Sequence, residues 1–276
     1  MNRIVLICLL YFSVVQQGIA QESFRAMTYN IKYDNKSDTE NGWSVRKPWV
    51  IDLIRFHGPK VFGVQEALHN QVEDIKSSLP GFTYVGVGRD DGMEKGEYSP
   101  VFYDSTYFTK GSSGTFWLSE TPEKVSKGWD AALPRICSYV ELTDPEGNTF
   151  VVYNAHFDHI GAEARRNSAA LIMEVYQKSH SDTPAIFMGD LNFTDDDPGY
   201  ERILQGGFRD TRSILTDPYG PKATYNDFSW ENIPERRIDY IFIKGDFNVS
   251  MFGVLTDSRY NRYPSDHFPV ITELGM

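Results

Sequence analysis

Ile186-Phe187-Met188-Gly189-Asp190-Leu191-Asn192 is a short apolar run that stops at a glycine and gives way to two polar residues around a leucine. An apolar run bounded by turn signals reads as a strand buried on both faces. If the chain stays extended past Gly189, residues two apart share a side. Asp190 and Asn192 then project together from a strand end, and Leu191 turns into the core. A carboxylate beside a carboxamide can take a proton from a water and hold that water in place. The same residues also suit an Asx turn closing a strand. The stretch alone favours the turn, so the decision rests on what else the chain brings.

The chain has 276 residues, 41% of them hydrophobic and 14% aromatic, enough for a sizeable core. Its first twenty residues differ from the rest. Arg3 is followed by an almost wholly apolar Ile4 to Val15, and Gly18-Ile19-Ala20 supplies small residues for cleavage. This reads as a signal peptide over residues 1–20, too short for a membrane span. Residues 21–276 then form a single exported domain, periplasmic or extracellular. Cys8 leaves with the leader, so Cys137 has no disulfide partner and reads as a buried small hydrophobe. The formal charge is -11, or -12 once Arg3 is removed. That argues against a basic footprint for tight nucleic-acid binding. It suits a site that borrows positive charge from a hard cation.

Periodicity predicts helices over 44–56, 70–79, 162–179 and 197–205. Strands are predicted over 24–31, 60–65, 82–88, 98–103, 107–118, 135–142, 149–155, 185–188, 237–244, 248–256 and 268–274. Asp144 to Asn148 is a hairpin turn, and 119–134 is a long irregular segment of the kind that carries function. Strands outnumber helices, which fits α+β or layered α/β.

Polar residues recur where apolar runs end or begin. Asn30 ends the first strand and Gln65-Glu66 the second. Asn154-Ala155-His156 ends the hairpin strand. Asp239 opens a strand, and Asp266-His267 precedes the last one. Each has a plain structural reading as a cap, turn or ion pair, but six together do not. Met27-Thr28-Tyr29-Asn30, Gly63-Val64-Gln65-Glu66, Tyr153-Asn154-Ala155-His156, Gly189-Asp190-Leu191-Asn192, Arg237-Ile238-Asp239-Tyr240 and Ser265-Asp266-His267 stand in the order of the endonuclease/exonuclease/phosphatase superfamily. The chain resembles that family from Met27 to His267. The resemblance implies a deoxyribonuclease I-like fold: a four-layer sandwich of two face-to-face, mainly antiparallel sheets flanked by helices. It also implies a site where strand ends converge.

Phosphate-ester hydrolysis needs neutralised phosphoryl oxygens, an aligned water and a stabilised leaving group. Glu66 is the first choice for binding Mg²⁺, with Mn²⁺ as the alternative ion, and Asn30 and Asp266 complete a polar ring. The resemblance makes Asp190 the base or orienter of the water and Asn192 its neighbour. It sets His156 and His267, both protonated, on the phosphoryl oxygens. It pairs Asp239 with His267 and Glu97 with His156. Arg135, Trp43 and Arg46 are the substrate-binding candidates, since arginine suits phosphate and tryptophan offers a stacking face.

Gly128-Trp129-Asp130-Ala131-Ala132-Leu133-Pro134-Arg135 resembles secreted bacterial members of the family. No long basic loop, cysteine pair or exposed apolar hairpin suggests a duplex nuclease or a sphingomyelinase. The expected function is a secreted Mg²⁺-dependent phosphoesterase, monomeric, cutting a phosphodiester or a phosphomonoester. A nuclease for short or single-stranded nucleic acid is the nearest rival. A non-catalytic binding module on the same fold, or a glycan-binding protein using Trp43, Trp117, Trp129 and Trp230, are rivals of another class.

Overall fold

The computed structural model describes residues 23–231 and 234–276, so the expected leader lies outside the described residues. In chain order the strands are β1 (Ser23–Asn30), β2 (Val61–Gln65), β3 (Phe82–Val85), β4 (Val101–Asp104), β5 (Thr109–Trp117), β6 (Ile136–Thr143), β7 (Thr149–His156), β8 (Ala185–Asp190), β9 (Arg209–Asp210), β10 (Asp239–Lys244), β11 (Asn248–Val254) and β12 (Val270–Gly275). The helices are α1 (Trp43–His57), α2 (His69–Ser78), α3 (Ala162–Ser179), α4 (Pro198–Gln205) and α5 (Thr211–Ile214). The four expected helices are all present. β9 and α5 are additions, each too short to carry a period.

The strands form two six-stranded sheets, β11-β12-β1-β2-β4-β3 and β5-β6-β7-β8-β10-β9. Each is antiparallel except for one central parallel pair, β1 with β2 and β7 with β8. A parallel pair needs a crossover, and α1 and α3 supply it. Alternation along the strands sorts side chains into layers. Ala26, Val152, Ile186, Met188, Ile241 and Val270 meet between the sheets. Tyr153, Phe187 and Phe242 face outward onto α3 and α4, through Ile172 and Ile203. Met27, Phe62 and Val64 face outward onto α1 and α2. The result is the expected four-layer sandwich. β8 is buried on both faces, which explains its unbroken apolar run. Cys137 is free and buried. Among the described residues no helix is long and apolar enough to cross a membrane.

The layering also locates the site. Asn30, Gln65, Asn154, His156, Asp190 and Asp239 share strand parity with the residues that fill the space between the sheets. They stand where that apolar series runs out, at one end of the sandwich. Asn154 crosses from β7 to the other sheet there. Its Nδ2 donates to the carbonyls of Val64 (2.9 Å) and Pro100 (2.8 Å), and its Oδ1 accepts from Gln65 Nε2 at 2.6 Å.

Candidate active site

Strand register assembles the floor of the site. Parallel pairing sets His156 beside Asp190, and antiparallel pairing sets Asp239 on the other side of Asp190. Three adjacent strands of one sheet thus offer three polar side chains in a row. The other sheet contributes Asn30, whose Nδ2 donates to Asp190 Oδ2 at 2.9 Å and to Glu66 Oε1 at 3.2 Å. His267 enters from the segment before β12. Its Nδ1 lies 2.9 Å from Asp239 Oδ2, and its Nε2 lies 3.7 Å from Asp190 Oδ2.

The backbone is strained here. Lys32, Glu66 and Asn192 are non-glycine residues with left-handed φ values of 57°, 62° and 51°. Such conformations persist only where the surroundings enforce them, and they cluster at functional sites. The strand runs on through Asp190, and the chain turns at Asn192. Asn192 N–H donates to Asp190 Oδ1 at 3.0 Å, so the stretch does form an Asx-type turn. The turn still brings the two side chains together at the site, because Asn192 Nδ2 reaches His156 Nε2 at 3.1 Å and the Phe157 carbonyl at 3.1 Å. Leu191 is buried, as alternation requires. Gly189 is needed for space. A Cβ there would stand 2.0 Å from the Ala155 carbonyl oxygen of the adjacent strand.

The two histidines differ in charge. Burial would depress His267, but Asp239, Asp190 and the hydrogen bond to Asp239 outweigh it and push its pKa up to about 10. His267 is an imidazolium at neutral pH. Burial, reinforced by Arg135 and Arg89, holds His156 well below its ordinary value, so His156 is neutral. That corrects the expectation of two protonated histidines. The expected Glu97–His156 pair is also loose. Glu97 Oε2 is 3.8 Å from His156 Nδ1, which has no hydrogen-bond partner. Glu97 instead takes a two-pronged bond from Arg89, at 2.7 and 3.0 Å. Asp190 is raised above the carboxylate range by burial, partly countered by the His267 charge and the Asn30 amide.

Glu66 and Asp266 present their carboxylates to one cation, the Lys32 ammonium, at 3.7 and 3.0 Å. Two oxygen donors of this kind, open on one side to a cleft, fit Mg²⁺ with waters completing its shell. Asn30 does not offer an oxygen to them. Its Oδ1 accepts from Lys32 N–H at 3.1 Å and its Nδ2 holds Glu66, so it orients a ligand rather than acting as one. A second group, Asp190, Asp239 and His267, also brings ligand atoms within 4.8 Å of one another. There the imidazolium already supplies the positive charge, so the trio is better suited to moving a proton than to caging a metal.

The cleft over this floor has a volume of about 510 Å³ and is walled by Arg135, His159, Tyr225 and Arg236. Arg135 is buried. Its Nε bonds Asp158 at 3.3 Å, its Nη2 meets His159 at 3.0 Å, and its Nη1 is left without a partner. The other two substrate candidates are not in the cleft. Trp43 is the first residue of α1 and is buried, with its indole N–H on Asp74 of α2. Arg46 is fully buried and spends its guanidinium on the carbonyls of Ile31, Lys32, Asn41 and Pro264. It fastens the segments that carry Lys32 and Asp266. Lys32, Tyr225 and Arg236 line the cleft unanticipated, although Lys32 and Arg236 each stand within three residues of a motif residue.

Asp158 anchors the Arg135 wall. Burial opposes its charge, but the amides of Gly161, Ala132 and Ile160, with Arg135, hold its carboxyl below the usual range. A folded-state pKa below the unfolded one stabilises the protein fully above about 3.9 and loses that stabilisation as pH falls further. Asp158→Asn should therefore lower the melting temperature by several degrees at pH 7, and the gap to the wild type should narrow by pH 3. A gap independent of pH would show that the charge of Asp158 contributes nothing.

A two-sheet sandwich with carboxylates, imidazoles and carboxamides meeting at one end defines the deoxyribonuclease I-like class, whose members hydrolyse phosphate esters with a divalent metal. The chain belongs to the Endonuclease/Exonuclease/phosphatase family, whose model matches residues 27–267. It is similar to a mannosyl-6-phosphatase of Bacteroides thetaiotaomicron, with 40% identity and a TM-score of 0.87 over 92% of this chain and 100% of that one. A family protein of Bacteroides vulgatus is 36% identical, with a TM-score of 0.88 over 93% and 100% of the two chains. An uncharacterised protein of Acanthamoeba polyphaga mimivirus is 27% identical over 83% of this chain and 91% of its own length.

Proposed function

We propose that this enzyme is an exported, Mg²⁺-dependent phosphomonoesterase whose substrate is a sugar phosphate. The observation that carries the reading is a buried Asp190 carboxylate beside the charged His267 imidazolium, on the floor of a cleft of about 510 Å³. Asp190 takes the proton of the attacking water while Asn192, turned back on it, helps to fix that water. The new bond joins water oxygen to phosphorus, and the bond to the sugar oxygen breaks, the sugar leaving as its alcohol with a proton taken from solvent. His267 donates to a phosphoryl oxygen as charge grows there, and Asp239 holds the ring in place. Arg135, which lines the cleft wall, adds positive charge toward the same group. Glu66 and Asp266 would hold the metal, which when bound neutralises phosphate charge.

A monoester is favoured by the likeness to the mannosyl-6-phosphatase and by the charge of -11, which repels a polyanion. Export rests on the apolar segment Ile4 to Val15. A nuclease reading has one observation behind it: the Arg236 guanidinium lies 6.0 Å from the Tyr225 ring at the cleft mouth, a face on which a base could stack. The test is a panel of mannose 6-phosphate, glucose 6-phosphate, bis-p-nitrophenyl phosphate and a single-stranded oligonucleotide, with Mg²⁺ or chelator. Inorganic phosphate should be released from a hexose phosphate, and chelation should stop it. Turnover of the oligonucleotide alone, or turnover that survives chelation, would overturn the reading.

A further inference from the structure

We infer that Lys32 is a tethered counter-cation: it holds the Glu66–Asp266 pair together when no metal is bound and competes with the metal for that pair. The inference rests on the reading of these two carboxylates as the metal site. Lys32 Nζ lies 3.0 Å from Asp266 Oδ2 and 3.7 Å from Glu66 Oε2, and the Asp266 carboxylate is almost wholly buried. Two carboxylates this close in a half-shielded pocket repel one another unless a cation stands between them. The lysine is placed there by its backbone. Its φ of 57° turns the chain out of β1, and its N–H is fixed on Asn30 Oδ1 at 3.1 Å. Its carbonyl accepts from Arg46 Nη2 and Gln71 Nε2, each at 3.0 Å. A main chain tied at three points launches the side chain toward the pair rather than into solvent.

A divalent ion and an ammonium cannot share this position. Binding the metal requires Lys32 to leave, so part of the metal's binding free energy is spent on displacing it. The affinity for the ion is thereby set lower than the two carboxylates alone would give. The displaced ammonium stays at the cleft, which Lys32 lines, and there it can meet a phosphoryl oxygen.

The experiment is calorimetric titration of Mg²⁺ into metal-stripped protein, paired with thermal unfolding with and without Mg²⁺. Lys32→Met should bind Mg²⁺ about tenfold more tightly, the loss of one close unit charge. Its metal-free melting temperature should fall, and its gain in melting temperature on adding Mg²⁺ should exceed the wild type's. Lys32→Arg, which keeps the charge, should bind as the wild type does. Arg236→Met removes a cleft cation that touches neither carboxylate, and should leave the affinity near the wild-type value. Equal or weaker Mg²⁺ binding by Lys32→Met overturns the inference, as does an equal gain from Arg236→Met. If neither the wild type nor Lys32→Met binds Mg²⁺, the metal site itself is misassigned and the inference falls with it.

Discussion

Asp190→Asn should lower kcat by about 10²- to 10⁴-fold, the range a positioned general base contributes, while the protein still folds. The substitution keeps the shape of the side chain. An asparagine oxygen can still accept the Asn192 N–H that Asp190 accepts at 3.0 Å, so the turn after β8 survives. What goes is the capacity to take a proton. Neutral His156 is the nearest alternative base, its Nε2 3.5 Å from Asp190 Oδ2, but that nitrogen already meets the Asn192 amide at 3.1 Å. His267 Nε2 is 3.7 Å away but already protonated, and the Asp239 carboxylate is committed to His267 Nδ1 at 2.9 Å. The wild-type rate should fall as pH falls, because the deprotonated carboxylate is the working form. That acid limb should lie above the ordinary carboxylate range, since burial raises Asp190. The check is kcat at saturating Mg²⁺ and substrate, with a melting curve to confirm folding. A variant within tenfold of the wild type would remove Asp190 from its role.

Much of this site is legible in the sequence because it lies on regular strands. Asn30, His156, Asp190 and Asp239 each replace an apolar residue at a position whose parity points between the sheets, so alternation exposes them. The helix predicted over 162–179 matches α3 at both ends, where eighteen residues give the period room to show. Short elements such as β9, with two residues, give it none. The errors share a cause. Arg46 looked like a phosphate ligand because an exposed arginine often is one, but its partners include Ile31 and Pro264, which come near it only on folding. Glu97 looked free for His156, and Arg89, eight residues earlier, holds it. Left-handed backbone at Lys32 and Glu66 leaves no mark in side chains that are neither glycine nor asparagine. Composition and periodicity report local preference, while these residues are placed by specific hydrogen bonds that form only in the folded chain.

Asn154→Leu should destabilise the protein by about 3 kcal/mol, the sum of several net hydrogen bonds and a misfit. For a chain of this size that amounts to a fall in melting temperature of roughly 10 °C. The amide makes three hydrogen bonds to the opposite sheet, to the Val64 and Pro100 carbonyls and from Gln65 Nε2. Leucine makes none and leaves the Val64 and Pro100 carbonyls without that donor inside the sandwich. Gln65 keeps Thr28 Oγ1 at 3.0 Å, but its Oε1 already lacks a partner, so little is left to hold it. Nor is there room for leucine's two methyl groups, which are bulkier than the flat amide they replace. A Cβ at Gly63 would stand 2.4 Å from Asn154 Cγ, so the side chain already lies directly on the opposing backbone. Gln65→Leu loses one of these bonds and should cost less. The damage should also reach the metal. Gln65 is the residue before Glu66, whose left-handed backbone depends on a fixed strand end. Asn154→Leu should therefore need more Mg²⁺ for half-maximal activity, while kcat at saturating Mg²⁺ falls less than it does in Asp190→Asn. A variant as stable as the wild type would mean that the apolar core alone sets the spacing of the sheets. An unchanged Mg²⁺ requirement in a destabilised variant would show instead that Glu66 is held by its own turn and by Asn30.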